Sequence, residues 1–175
     1  GTAALAGYGV GVRLELLQVP LVFAIGQALV VLVGTHVGAG HARRAKRIAW
    51  AGTGLAASIS LGIGIFVAVF PGAWIRIFSD DAAVLHAGSL YLRIVAPFYA
   101  LFGAGIALYF SSQGAGRMIL PVLAGTARLV LVVTGGALVV ALAGPLAAVF
   151  AVIAGGIVLF GALIAYAVYR APWEG

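Results

Sequence analysis

Five apolar stretches, at about 9–36, 48–70, 84–112, 118–142 and 146–169, take up most of this chain, and each is long enough to cross a bilayer. A hydrocarbon core about 30 Å thick takes roughly 20 mostly apolar residues to span, and lipid offers no partner for an unpaired amide or carbonyl. Each stretch therefore reads as a helix, and residues 1–175 as one all-α polytopic membrane unit with five transmembrane helices. Composition closes off the soluble alternative. Hydrophobic residues fill 64% of positions and charged ones 8%, against about a quarter charged in an ordinary soluble domain. A domain of 17.7 kDa leaves too much surface exposed to hide several such helices.

The net charge of +6 and pI near 10.3 would suggest nucleic acid in a soluble protein. Here the basic residues fall where anionic headgroups lie, so nucleic acid is not an expected partner. The chain has no cysteine, hence no disulfide or thiolate ligand, and its three histidines show no metal-binding spacing. No metal or cofactor is expected. No Ser-His pair, HExxH or paired aspartate lies in the spans, which argues against an intramembrane enzyme. The chain does not begin with Met, and Gly1–Ala6 already reads as apolar helix without the basic region of a signal peptide, as expected of a truncated N-terminus.

Polar residues inside the spans are the informative ones, because each should face protein or water. In the first span Tyr8, Glu15, Gln18 and His36 share a stripe about 80° wide, with Arg13 and Gln27 roughly opposite. Arg13 and Glu15 therefore do not pair. The second span carries Gly54, Ser58 and Gly62 four residues apart, a ridge suited to close approach of a neighbouring helix. Pro71 and Gly72 end it, Ala73–Phe78 reads as interfacial, and Ser79 or Asp80 is expected to cap the third span. In that span Pro97 predicts a kink. Tyr91, Tyr99, Tyr109 and Gln113 share one stripe with Arg93 off it; Tyr91 and Tyr109 also suit interface anchors. Arg128 lies close to mid-depth of the fourth span, too deep to snorkel.

Orientation comes from the short connections. The segment GTHVGAGHARRAKR at 34–47 ends one helix with glycines and supplies Arg43, Arg44, Lys46 and Arg47; Arg117 and Arg170 reach the same side, for six basic residues. The other side has Arg76 and two aspartates. Positive-inside places the first group, and the C-terminus, in the cytoplasm, with Arg43, Arg44, Lys46 and Arg47 as a topology loop on the headgroups.

Three segments together resemble one family: ALAGYGVGVRLELLQVPLVFAIGQALVVLVGTHVGAGHARRAKR at 4–47, WIRIFSDDAAVLHAGSLYLRIVAPFY at 74–99 and SSQGAGRMILPVLAGTARL at 111–129. They are similar to the multidrug and toxic compound extrusion transporters, which have twelve helices in two pseudo-symmetric lobes and export organic cations and drugs in exchange for protons or sodium. The resemblance implies that the spans correspond to the eighth through twelfth helices, a partial C-terminal lobe whose N-terminal lobe is missing, in a bacterial inner membrane. Its partners would be the lipid bilayer and small-molecule drugs or organic cations, and H+ or Na+ its coupling ion. The matching tenth helix, 84–112, lacks the carboxylate that contributes to a sodium site in some members.

Glu15 is the acidic residue left inside the spans. It is the candidate coupling group, since burial disfavours a charge that a nearby cation favours, and a poised carboxylate needs that competition. Its depth also matches Arg93, so a structural pair between them is the other reading. Gln18, Gln27, Tyr99 and Phe102 are candidates to line a drug cavity, which needs π faces and a few polar groups. Arg13, Arg93 and Arg128 are expected to be structural, Arg128 bonding helix-end carbonyls or Gln side chains. A flippase for lipid-linked oligosaccharides, of the same superfamily, should carry more cationic residues along its cavity. A non-transporting membrane subunit is the remaining alternative.

Overall fold

A computed structural model describes residues 1–173. The chain forms α1 (Thr2–Gly38), α2 (Ala42–Val69), the short α3 (Pro71–Ile75), α4 (Ala82–Val95), α5 (Tyr99–Gly114), α6 (Ile119–Ala141) and α7 (Leu146–Arg170). A single 3-10 turn, Ala96–Phe98, joins α4 to α5, so these two make the third of five helices among the described residues that are long and apolar enough to cross a membrane. The expected fold class therefore holds. The boundaries shift: α1 runs back to Thr2, and α2 starts at Ala42, which puts Arg43, Arg44, Lys46 and Arg47 in its first two turns and not in a loop.

Pro97 explains the interrupted third span. Without an amide it cannot continue the α-helical ladder, and the chain tightens into the 3-10 turn. The displaced Ala96 carbonyl presses on α2 at Gly64, where any Cβ would overlap it. Three connections use left-handed backbone, at Gly40 (φ +75°), Gly116 (φ +70°) and Ala143 (φ +51°), and in two of them glycine takes it without a Cβ penalty. The cap of α4 falls one residue later than the sequence suggests. Asp81 accepts from the amides of Ala83 and Val84 at 2.8 and 3.0 Å, while Ser79 Oγ accepts from the Asp81 amide at 3.2 Å.

The packing places α5 at the centre, against α1, α2 and α7, while α4 lies on α1 and α6 docks principally on α7. The outer face of α6 stays open, with Leu129, Val133 and Val140 each more than half exposed, as a lipid-facing helix should be. One core cluster runs through Leu14, Tyr91, Tyr99, Phe102, Phe150 and Ile157. A second, toward the α1–α2 turn, gathers Val33, Ala49, Leu108, Ile164 and Trp173. The ridge Gly54–Ser58–Gly62 does not face a neighbouring helix as expected: a Cβ on Gly54 or Gly62 would meet nothing within 4 Å.

Candidate functional site

Close helix approach builds the site. Apolar attraction between helices is weak in lipid, so contact depends on small residues that let backbones meet. A Cβ on Gly7 of α1 would stand 2.7 Å from the Gly88 amide nitrogen of α4, and one on Gly88 would stand 3.1 Å from the Gly7 carbonyl oxygen. One turn on, the Tyr91 ring fills the space a side chain at Gly11 would need. That seat brings its hydroxyl to α1, where it donates a hydrogen bond to Glu15 Oε1.

The Tyr91 ring is 1% exposed and clamped between two others. Tyr8 meets it edge-on with centroids 5.3 Å apart, and Phe150 of α7 does so at 5.1 Å. Edge-to-face pairs at these distances add about 0.5–1.5 kcal/mol each beyond burial. Fully buried Tyr99 belongs to the same group: its hydroxyl faces the Glu15 carboxylate yet falls short of hydrogen-bonding geometry. Arg128, from α6, lies over Phe102 and Phe160 with its guanidinium carbon 5.6 and 5.7 Å from their centroids. Its positive charge acts on both Glu15 and Tyr8. One turn along α1 from Glu15, Gln18 is 1% exposed with neither amide atom paired.

Of the residues singled out in sequence, Glu15, Gln18, Tyr99, Phe102 and Arg128 thus fall in one region of the bundle. Gln27, Arg13 and Arg93 do not. Gln27 is exposed. Arg13 points out of the core, its guanidinium carbon 5.1 Å from the Phe78 ring. Arg93 is exposed, two residues past Tyr91 and so about 200° round the helix. The Glu15–Arg93 pair considered from sequence therefore gives way to a Tyr91 hydrogen bond, with Arg128 as the cation acting on the carboxylate. For Arg128 itself, the partners seen are aromatic faces in place of the carbonyls or Gln side chains expected.

Tyr91 is the residue that sequence reasoning undervalued by treating it as an interface anchor. The signal was its stripe shared with Tyr99, facing the Tyr8–Glu15 stripe of α1. Among the described residues no group of three or more His, Asp or Glu can hold a metal. A concavity of about 550 Å³ lies away from Glu15, between Ser112, the 115–121 turn and Ala167–Trp173, and has no carboxylate among its described lining residues. A lone carboxylate in this setting suits exchange of a proton or a small cation better than bond-breaking chemistry.

Among the described residues, five apolar spans packed through glycines around a half-buried carboxylate define a multi-pass helical membrane protein. Residues 1–138 match the MatE family model, and the chain belongs to the multidrug and toxic compound extrusion family of transporters. It is 30% identical over 98 residues to the probable multidrug resistance protein NorM of Thermotoga maritima, an overlap covering 56% of this chain and 21% of that protein. Its fold matches that of the MATE transporter ClbM in complex with Rb+ with a TM-score of 0.88 and 23% identity, covering 99% of this chain and 42% of the other. The chain thus spans less than half the length of either relative.

Proposed function

We propose that this chain forms part of a secondary active multidrug exporter, in which organic cations and drugs leave the cell as H+ or Na+ returns, and that Glu15 carries the coupling ion. The Glu15 cluster supports this reading: one carboxylate within the spans, held by Tyr91, beside the Tyr99 hydroxyl and the Gln18 amide, with Arg128 as a competing cation. An arriving ion would exchange the Tyr91 bond for its own, and the buried oxygens of Tyr99 and Gln18 would add acceptors for a cation or for water. Phe102, Tyr99 and Gln18 are the proposed drug-facing groups here, with Gln27 further along α1.

A full cycle needs a second lobe against which the cavity alternately opens. We place that partner lobe outside these residues, and the assembly in a bacterial inner membrane with Arg43, Arg44, Lys46, Arg47 and the C-terminus cytoplasmic. The drug reading is favoured over lipid-linked oligosaccharide transport because Arg128 is the arginine found at the cluster, while Arg13 and Arg93 lie off it. The name of the Thermotoga maritima relative points the same way.

The test is Glu15→Gln in the full-length transporter, reconstituted in proteoliposomes with a pH gradient or a sodium gradient imposed separately. Gradient-driven efflux of a cationic dye should fall to background under whichever gradient drives the parent, while dye binding persists. Undiminished efflux in the variant would remove Glu15 from coupling.

A further inference from the structure

The start of α2 carries an unusual charge arrangement. Arg43, Arg44 and Arg47 are exposed in its first two turns, and no ion-pair partner faces any of them among the described residues. The helix has no acidic residue in its first turn and no side-chain cap at His41. Three guanidiniums therefore sit at the positive end of a helix dipole, an arrangement that an external anion relieves. Lys46 differs from them: it is half-buried, and its Nζ donates to the Tyr169 carbonyl at 3.4 Å, near the end of α7. With Gly40 and His41, the three arginines line a concavity that continues to Ile48 and Ala51.

Beyond Ala51 the same face stays open. Gly54, Ser58 and Gly62 lie in one stripe with Arg43, Arg44 and Arg47, about 100° wide. Ser58 turns its hydroxyl back to the Gly54 carbonyl at 2.8 Å, leaving a methylene-lined surface. Exposed Trp50 and Leu61 flank this trough on one side, and exposed Leu55 and Phe66 on the other. From Ala51 to Gly62 it is about 16 Å long at 1.5 Å per residue, close to half of a hydrocarbon core about 30 Å thick.

We propose that this face of α2 is a binding site for an anionic glycerophospholipid, its phosphate held by Arg43, Arg44 and Arg47 and an acyl chain lying along Gly54, Ser58 and Gly62. Arginine presents paired N–H donors to phosphate oxygens, which suits it to this role better than a point charge. A neighbouring helix would fill the small-residue trough equally well but would leave the three cations unanswered. Charge therefore selects the lipid. The site lies on an outward, exposed face of α2, apart from Glu15, and does not depend on the coupling reading.

The purified full-length transporter, offered equimolar phosphatidylglycerol and phosphatidylcholine in detergent, should retain phosphatidylglycerol preferentially in native mass spectra. In R43Q/R44Q/R47Q that preference should fall by at least about tenfold, since each basic residue near an anionic surface is worth roughly fivefold in affinity. G54L/S58L keeps every charge and changes positions with open surroundings, so it should stay folded while retaining less phosphatidylglycerol than the parent. Equal retention of the two lipids by the parent, or an unchanged preference in the triple variant, overturns the proposal. So does undiminished retention in G54L/S58L, displacement of the lipid by glycerol 1-phosphate alone, or a lipid-free dimer that Ser58→Leu abolishes.

Discussion

Replacing Tyr91 by Phe removes one oxygen from the bundle and leaves the ring in its slot over Gly11, between Tyr8 and Phe150. What disappears is the bond donated to Glu15. A hydrogen bond to a charged partner contributes about 1.5–3 kcal/mol, and one between neutral groups about 0.5–1.5 kcal/mol. Glu15 still has the Tyr99 hydroxyl and the Arg128 charge nearby, so the loss belongs at the lower end of the charged range, about 1.5–2 kcal/mol. Glu15→Gln preserves shape and an acceptor oxygen, and in that background Tyr91→Phe should cost only about 0.5–1 kcal/mol. The double-mutant cycle should then show a coupling of about 1 kcal/mol. Unfolding in SDS, followed by tryptophan fluorescence, measures it. Trp74 is a suitable reporter, because its indole Nε1 donates to the Val10 carbonyl of α1 at 2.9 Å. A coupling below about 0.3 kcal/mol, the usual additivity error, would mean that Tyr91 does not donate to an ionised Glu15 carboxylate in the folded bundle.

Two further substitutions test the packing. Gly64→Ala places a methyl onto the Ala96 carbonyl, with the Tyr99 Cβ 3.3 Å away. Backbone cannot yield as a side-chain tip does, so the cost should reach about 1–3 kcal/mol and appear as lost monodisperse protein on gel filtration. Gly54→Ala, with nothing within 4 Å, should be neutral or stabilising by up to about 1 kcal/mol in the same assay. Asp81→Ala removes the acceptor of the Ala83 and Val84 amides and should lower SDS resistance by about 1 kcal/mol. Asp80→Ala should stay within about 0.5 kcal/mol, as a surface change away from the cap; the reverse ranking would return the cap to Asp80.

The site was partly legible in sequence. Helical spacing put Tyr8, Glu15 and Gln18 on one stripe of α1, and Tyr91 and Tyr99 on one stripe of the third span. Which stripe met which was not legible, because that depends on the rotation of each helix about its own axis. Gly7, Gly11 and Gly88 set that rotation, and a glycine's role shows only when the neighbouring backbone is in place. Depth alone made Arg93 as plausible a partner for Glu15 as Tyr91. The two differ by about 200° of helix turn, and packing chose Tyr91.

By itself the sequence determined the number of spans, their helical character and the grouping of the basic residues in the connections at one end of the bundle. These follow from local quantities: apolar length against bilayer thickness, backbone pairing in lipid, and charge in short connections. Tertiary structure alone decided that Pro97 becomes a 3-10 turn seated on Gly64, that Arg128 lies on aromatic faces, and that Gly54, Ser58 and Gly62 look outward. Each of those outcomes depends on close steric fit between helices distant in sequence. Small residues in lipid permit many such fits, and only the assembled bundle selects one.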